Sequence, residues 1–289
     1  MSMFTAYNGL RTRGPSLDLW SDLQNQWIET RPDLGLHHYD DFSLRTVLTP
    51  TNSDLYNVYT GAGVTIGPAN LQGGGLLISG NAASGAEGTL QAGNGGLVIS
   101  PDPSIARKLW FESRLSKPSI ADNGLAYFVG LMATGGAATG TLTTAGVVAA
   151  NKSYIGFQVQ QVPGAQVDFV YANATGAQVV RIPNVAKLTQ TTGQPADYIK
   201  LGFKFDPINP RILRVWVDGY EYVLDWVKDA DVAAATFPAG VVMAPILTTK
   251  TGSAATAAPV NLSWWRWAQL SVDPFGGWPY WWGWNQASA

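Results

Sequence analysis

From Tyr198 to Phe205 the chain alternates without a break: Ile199, Leu201, Phe203 and Phe205 fall on one side, Tyr198, Lys200, Gly202 and Lys204 on the other. A period of two turns one set towards a core and the other to the opposite face of a pleated strand, the mark of an antiparallel sheet. Ile155, Phe157, Val159 and then Val167, Phe169, Tyr171 repeat the pattern. Leu213–Val217 and Tyr220–Leu224 flank Asp218-Gly219, a dipeptide that favours the type I′ turn, whose twist matches the two strands it joins. Closing that two-residue loop predicts the pairs Val217–Tyr220, Val215–Tyr222 and Leu213–Leu224.

Further strands are expected over 44–48, 55–60, 75–79, 88–92, 97–100, 107–116, 125–133, 177–182, 241–248 and 260–272, separated by Gly/Ala/Thr/Ser segments. Many short strands with turn signals and almost no helix predict an all-β sandwich. No repeat of fixed period is present, which argues against a propeller or solenoid.

Three zones follow. Residues 1–38 read as an N-terminal arm with one short helix. Ser16 stands at its cap position, Leu19, Trp20, Leu23 and Trp27 recur at helical spacing, and Thr30-Arg31-Pro32 ends it. A lone helix of about 12 residues is marginal in water and needs a surface to lie on. Residues 39–272 form the sandwich. Residues 273–289 form a tail in which Trp278, Tyr280, Trp281, Trp282 and Trp284 crowd together. Aromatics this dense mark a contact, either with another chain or, folded back as a strap, with Trp264, Trp265 and Trp267 of their own sheet.

Composition narrows the function. A net charge of −2 supplies no basic field for phosphates, so duplex nucleic acid is not an expected partner. With no cysteine, disulfides, thiolate catalysis and Cys-ligated zinc are excluded. The uncharged interval between Asp122 and Lys152 is rich in Gly and Thr and reads as a loop rather than a membrane span. The opening residues lack the continuous apolar stretch of a secretory signal.

Chemistry is sparsely marked. The four Glu (Glu29, Glu87, Glu112, Glu221) are far apart in sequence, and none stands in a Glu-x-Asp-x-Glu pattern. Glu112 and Glu221 read as solvated or paired strand residues. His37 and His38 point different ways on an extended chain, and Asp40-Asp41 lack an Asp-x-Asp-Gly loop. Asp168, Tyr171 and Asn173 loosely suggest a lectin-type metal site, but lack its partnering Glu-x-Asp and His. No catalytic, cofactor or metal residue is expected, and an enzyme is not.

One resemblance emerges from the order of the motifs. Asp40-Asp41-Phe42, Lys108-Leu109-Trp110-Phe111-Glu112-Ser113-Arg114-Leu115, Ala126-Tyr127-Phe128-Val129-Gly130-Leu131, Tyr154-Ile155-Gly156-Phe157, Tyr198-Ile199-Lys200-Leu201-Gly202-Phe203 and Leu213-Arg214-Val215-Trp216-Val217-Asp218-Gly219 follow one another. Their succession, over roughly residues 40–272, resembles the concanavalin A-like (laminin G-type) jelly roll of tailed-phage head proteins. What it implies is a capsid decoration, or cement, protein. Such a protein sits on the outer surface of the virion, binds the major capsid protein, and forms a homo-oligomer (dimer or trimer), without nucleic acid or membrane partners. The interface residues expected on that reading are Leu19, Trp20, Leu23 and Trp27 of the arm and Trp278, Tyr280, Trp281, Trp282 and Trp284 of the tail. The alternative is a carbohydrate-binding module, which an exposed Trp216 or Tyr220 beside a polar groove favours. A hydrolase needs two carboxylates about 5–10 Å apart in a cleft.

Overall fold

The computed structural model describes residues 14–271 apart from 44–46, 50–54, 70–74, 80–82, 94–95, 101–106, 191–195, 208–211 and 255–258. Its strands form two antiparallel sheets packed face to face, each of eight strands. Sheet A runs β14 (Tyr220–Val227), β13 (Leu213–Val217), β12 (Ile199–Phe205), β7 (Leu109–Ser116), β16 (Pro259–Leu270), β4 (Leu76–Ser79) and β3 (Thr65–Pro68), with β1 (Gly35–Asp40) also paired to β16. Sheet B runs β11 (Val179–Lys187), β10 (Gln166–Ala172), β9 (Tyr154–Val159), β8 (Leu125–Ala133), β15 (Val242–Thr251), β5 (Glu87–Ala92) and β2 (Tyr56–Thr60), with β6 (Leu97–Val98) against β15.

Alternation dictates the layering. Phe203 of β12 meets Phe111 of β7 at 5.3 Å and Phe169 of β10 at 5.8 Å between ring centroids, and Phe157 of β9 meets Phe169 at 5.2 Å. Four strands from two sheets thus interlock one aromatic cluster between them, as edge and stacked geometries favour. Trp265 and Trp267 of β16 enter the same core at 5.6 Å from each other.

Several expectations need correction. β13 and β14 keep the pairs Val217–Tyr220 and Val215–Tyr222, but Leu213 pairs with Val227 rather than Leu224. The register shifts between them, an irregularity of the kind that adds twist to an outer hairpin. β1 begins at Gly35, so residues 35–38 belong to the sheet and not to the arm. β11 extends to Lys187 through Pro183; it lies at a sheet edge, where proline's missing N–H is tolerated. Around the expected strand at 44–48, only the bridge Leu48–Ile66 is described. Among its described residues the arm carries two helices, α1 (Leu17–Trp20) and α2 (Leu23–Thr30), followed by a 3-10 turn at Pro32–Leu34. Ser16 makes no side-chain cap to α1. A further short helix, α3 (Asp229–Val232), follows β14. Among the described residues, no helix is long and apolar enough to cross a membrane.

Candidate functional site

Each sheet has a second, outward face, and both are covered by the chain itself. On sheet A the outward residues include Trp110 and Glu112 of β7, Lys200, Gly202 and Lys204 of β12, Trp216 of β13, and Arg266 and Ala268 of β16. The arm lies over them. Leu19, Trp20 and Ile28 pack with Trp110, Trp216, Ala268 and Leu270 into a buried cluster. Leu19 is seated on Gly202, where an added Cβ would come within 2.6 Å of its side chain. The absent side chain is what lets the arm approach the strand.

Glu112 anchors this cover. Its carboxylate is wholly buried. The Ser16 backbone N–H donates to it at 2.9 Å, the Trp20 indole N–H at 2.8 Å, and the Ser16 hydroxyl donates to its other oxygen. Burial raises the Glu112 pKa, while the Ser16 and Trp20 donors and the Lys200 charge pull it back. Alongside, Asp22 receives Lys204 at 2.8 Å and Lys108 at 3.6 Å. Arg266 lays its guanidinium over the Trp20 ring, 4.0 Å from the centroid, and pairs with Glu29. Its Nε donates to His37 at 2.9 Å.

Where the arm meets the Asp-Gly hairpin, a groove of about 1070 Å³ opens. Pro15 to Asp18 and Ser21 form one wall; Asp218 to Glu221 form the other; Arg114, Tyr198 and Lys200 lie between. Asp218 (φ 50°) and Gly219 (φ 90°) take the left-handed conformations that a type I′ turn requires. The turn is tied down by Asp218, whose carboxylate accepts the Lys200 N–H at 2.9 Å. It holds Tyr220 out at the tip, 80% exposed. Tyr198 lies under the Arg114 guanidinium at 4.0 Å. Asp18 accepts the Trp216 indole N–H at 2.8 Å, and Arg214 approaches Glu221 at 3.5 Å. Lys200 donates its Nζ to the Gly14 carbonyl at 3.4 Å, its pKa lowered by burial against the pull of Glu112 and Asp218. Aromatic rings, carboxylates and cations share one open channel.

On sheet B the segment 134–152 folds back over the outward face. Leu142 and Val148 bury themselves against Phe128, Met132, Tyr154 and Ile246. Glu87 accepts the N–H groups of Gly140 at 2.9 Å and Leu142 at 3.0 Å, and Lys250 donates to the Leu142 carbonyl at 2.6 Å.

The residues singled out from sequence fare unequally. Leu19 and Trp20, expected as contacts for another chain, are buried against their own sheet. The side chains of Leu23 and Trp27, and Trp278, Tyr280, Trp281, Trp282 and Trp284 altogether, lie outside the described residues. Glu112 is paired but not solvated, because the arm covers it. Trp216 is buried beneath the arm, whereas Tyr220 is exposed beside the groove. His38 stacks on Trp267 at 4.2 Å. Asp168 accepts Gln166 Nε2 and the Asn184 N–H, both at 2.7 Å, while Tyr171 turns into the core against Phe237. No group of three or more metal-ligating side chains occurs among the described residues. Sequence reasoning missed Asp18 and the Arg114–Tyr198 pair, since nothing local marks residues brought together from 84 or more positions apart.

No protein-family model and no curated protein matches the sequence. Solved structures do. An endo-1,3-beta-glucanase from Streptomyces sioyaensis superposes with a TM-score of 0.52 at 16% identity, over 81% of this chain and 96% of that one. The potassium-bound carbohydrate recognition domain of Emp46p gives 0.50 at 9% identity, again over 81% and 96%. At such identities the likeness shows the fold: a concanavalin A-like jelly roll.

Proposed function

We propose that this chain is a non-catalytic carbohydrate-binding module whose ligand lies in the groove between the arm and the Asp-Gly hairpin. The observation that carries it is the exposed Tyr220 ring beside a groove lined with carboxylates and cations. Sugar rings offer C–H faces to an aromatic plane and hydroxyls that both donate and accept. A few polar groups placed around an aromatic surface give such a ligand orientation and specificity. The carboxylates Asp18, Asp197, Asp218 and Glu221 outnumber the cations Arg114 and Lys200 along the groove, which favours neutral or amino sugars over uronates and sialic acids. That a glucanase and a carbohydrate recognition domain share the fold is consistent with this reading and does not carry it.

Glycan-array screening followed by calorimetry tests it. The wild type is expected to bind neutral oligosaccharides, and Tyr220→Ala to lose about tenfold, roughly 1.4 kcal/mol. An array without hits, or a Tyr220→Ala protein binding like the wild type, overturns it.

A second reading concerns where the module works. The succession of motifs now placed on β7, β8, β9, β12 and β13 resembles that of phage head proteins, and supports a decoration protein on the outer capsid that binds the major capsid protein as a homo-oligomer. Co-sedimentation with undecorated capsids and a rise in their melting temperature are the expected results. A chain that stays in the supernatant overturns the capsid reading and leaves the glycan reading standing.

A further inference from the structure

The groove has an unusual construction: one of its walls is not part of either sheet. Pro15, Ser16, Leu17, Asp18 and Ser21 all belong to the arm. α1 is a single turn, too short to persist by its own hydrogen bonds, so its position is set by what it touches. Three contacts define that position: the carboxylate of Glu112 beneath Ser16 and Trp20, the bare backbone of Gly202 beneath Leu19, and the indole N–H of Trp216 bonded to Asp18. The first is the most demanding. A carboxylate buried in the middle of a sheet face receives three donors from the arm, and removing it leaves those buried donors without their acceptor.

Resting on the groove as a saccharide site, we propose that the arm is a working wall of that site and that Glu112 is the residue positioning it, so that ligand binding and arm docking form one linked equilibrium. A ligand contacting both walls meets its full set of partners only when the arm is docked. It therefore favours the docked state by its differential affinity, and docking strengthens ligand binding by the same factor. If only a fraction of molecules have the arm in place, the apparent dissociation constant rises by the reciprocal of that fraction.

The experiment uses the full chain and a panel of neutral hexasaccharides (laminarihexaose, cellohexaose, maltohexaose and N-acetylated chitohexaose), the tightest binder serving as probe. Hydrogen exchange is followed with and without it at the Ser16, Trp20 and Ser21 amides, whose acceptors are Glu112, the Ser16 carbonyl and the Asp18 carbonyl. The arm is unseated by two routes, Glu112→Ala beneath Ser16 and Leu19→Ala, which removes the side chain seated on Gly202. Exchange in β8 and β15, on the other sheet, verifies that the sandwich is intact. Saturating probe is expected to slow arm exchange in the wild type at least tenfold. Both variants are expected to exchange faster in the arm and to bind the probe at least tenfold more weakly, with Glu112→Gln partly rescued because its carbonyl oxygen can keep the Ser16 and Trp20 N–H donors, which share one oxygen of Glu112. A probe that binds without slowing arm exchange, or arm-released variants that bind like the wild type, overturns the linkage while leaving the saccharide site in place. A wild type that binds no member of the panel removes the site and the linkage together.

Discussion

Lys117 illustrates how far a single buried charge reaches. It is fully buried and donates its Nζ to the Gly164 carbonyl at 2.6 Å. Burial pulls its pKa down to about 8, with the Asp122 charge opposing. The unfolded chain holds that proton up to about 10.5. Between those values the unfolded state binds more protons than the folded one, so the contribution of Lys117 to stability rises with pH; it is complete above about 10.5 and lost as pH falls to about 8. Lys117→Met is expected to abolish this trend. The stability difference between wild type and variant, followed by urea unfolding, should climb by at most about 1.4 kcal/mol per pH unit across that window. Taking the difference cancels Tyr154, whose pKa is raised to about 12 by burial. Glu112 acts in the opposite sense. With its pKa raised, its contribution is present below the ordinary carboxylate range and lost as pH rises through the folded value.

At the scale of elements, two segments outside the sheets do the covering, and each hangs on a glutamate. Glu87→Ala is expected to release the 134–152 segment, because the Gly140 and Leu142 N–H groups lose their acceptor at about 1–3 kcal/mol each. Hydrogen exchange at those amides should accelerate while β9 stays protected. Leu142→Ala should cost about 2–5 kcal/mol through the cavity left against Phe128 and Ile246. Most strands were legible in the alternation of residues such as Ile199 to Phe205 and in the Asp218-Gly219 turn. The covers were not, because Gly, Ala and Thr announce a loop without saying what it lies on. A signal was nevertheless present: β8 reads Leu-Ala-Tyr-Phe-Val-Gly-Leu-Met-Ala, apolar at every position, which is the pattern of a strand buried on both faces. Trp110 and Trp216, on the outward face of sheet A, carried the same message for the arm. Tyr220 was foreseen as a discriminating residue, but its exposure depends on a hairpin tip reaching past its neighbours, which spacing alone does not reveal.

At the scale of the whole molecule, the two covers leave edges, the groove and the hairpin tip as the open surfaces among the described residues. The Trp-rich segment 273–289 adds apolar bulk beyond the sandwich strands. On the homo-oligomer reading proposed above, deleting it is expected to leave the thermal midpoint of the sandwich within a few degrees of the wild type while converting the oligomer to monomer in light scattering. Association that survives the deletion refutes a contact role for the tail. Placement of β16 has a different kind of consequence. It lies between β7 on one side and β1 and β4 on the other, and Gly35 at the start of β1 pairs with Leu270 at the end of β16. Residues 259–270 leave the ribosome after every other described strand. Until then sheet A is three unconnected pieces with open edges, β14 to β7, β4 with β3, and β1 by itself, and the arm lacks the part of its seat that Ala268 and Leu270 supply. Contacts this distant in sequence make folding slow and late rather than stepwise during synthesis. A chain interrupted before residue 259 is left with unpaired edges and a half-built core, an aggregating fragment rather than a smaller working protein.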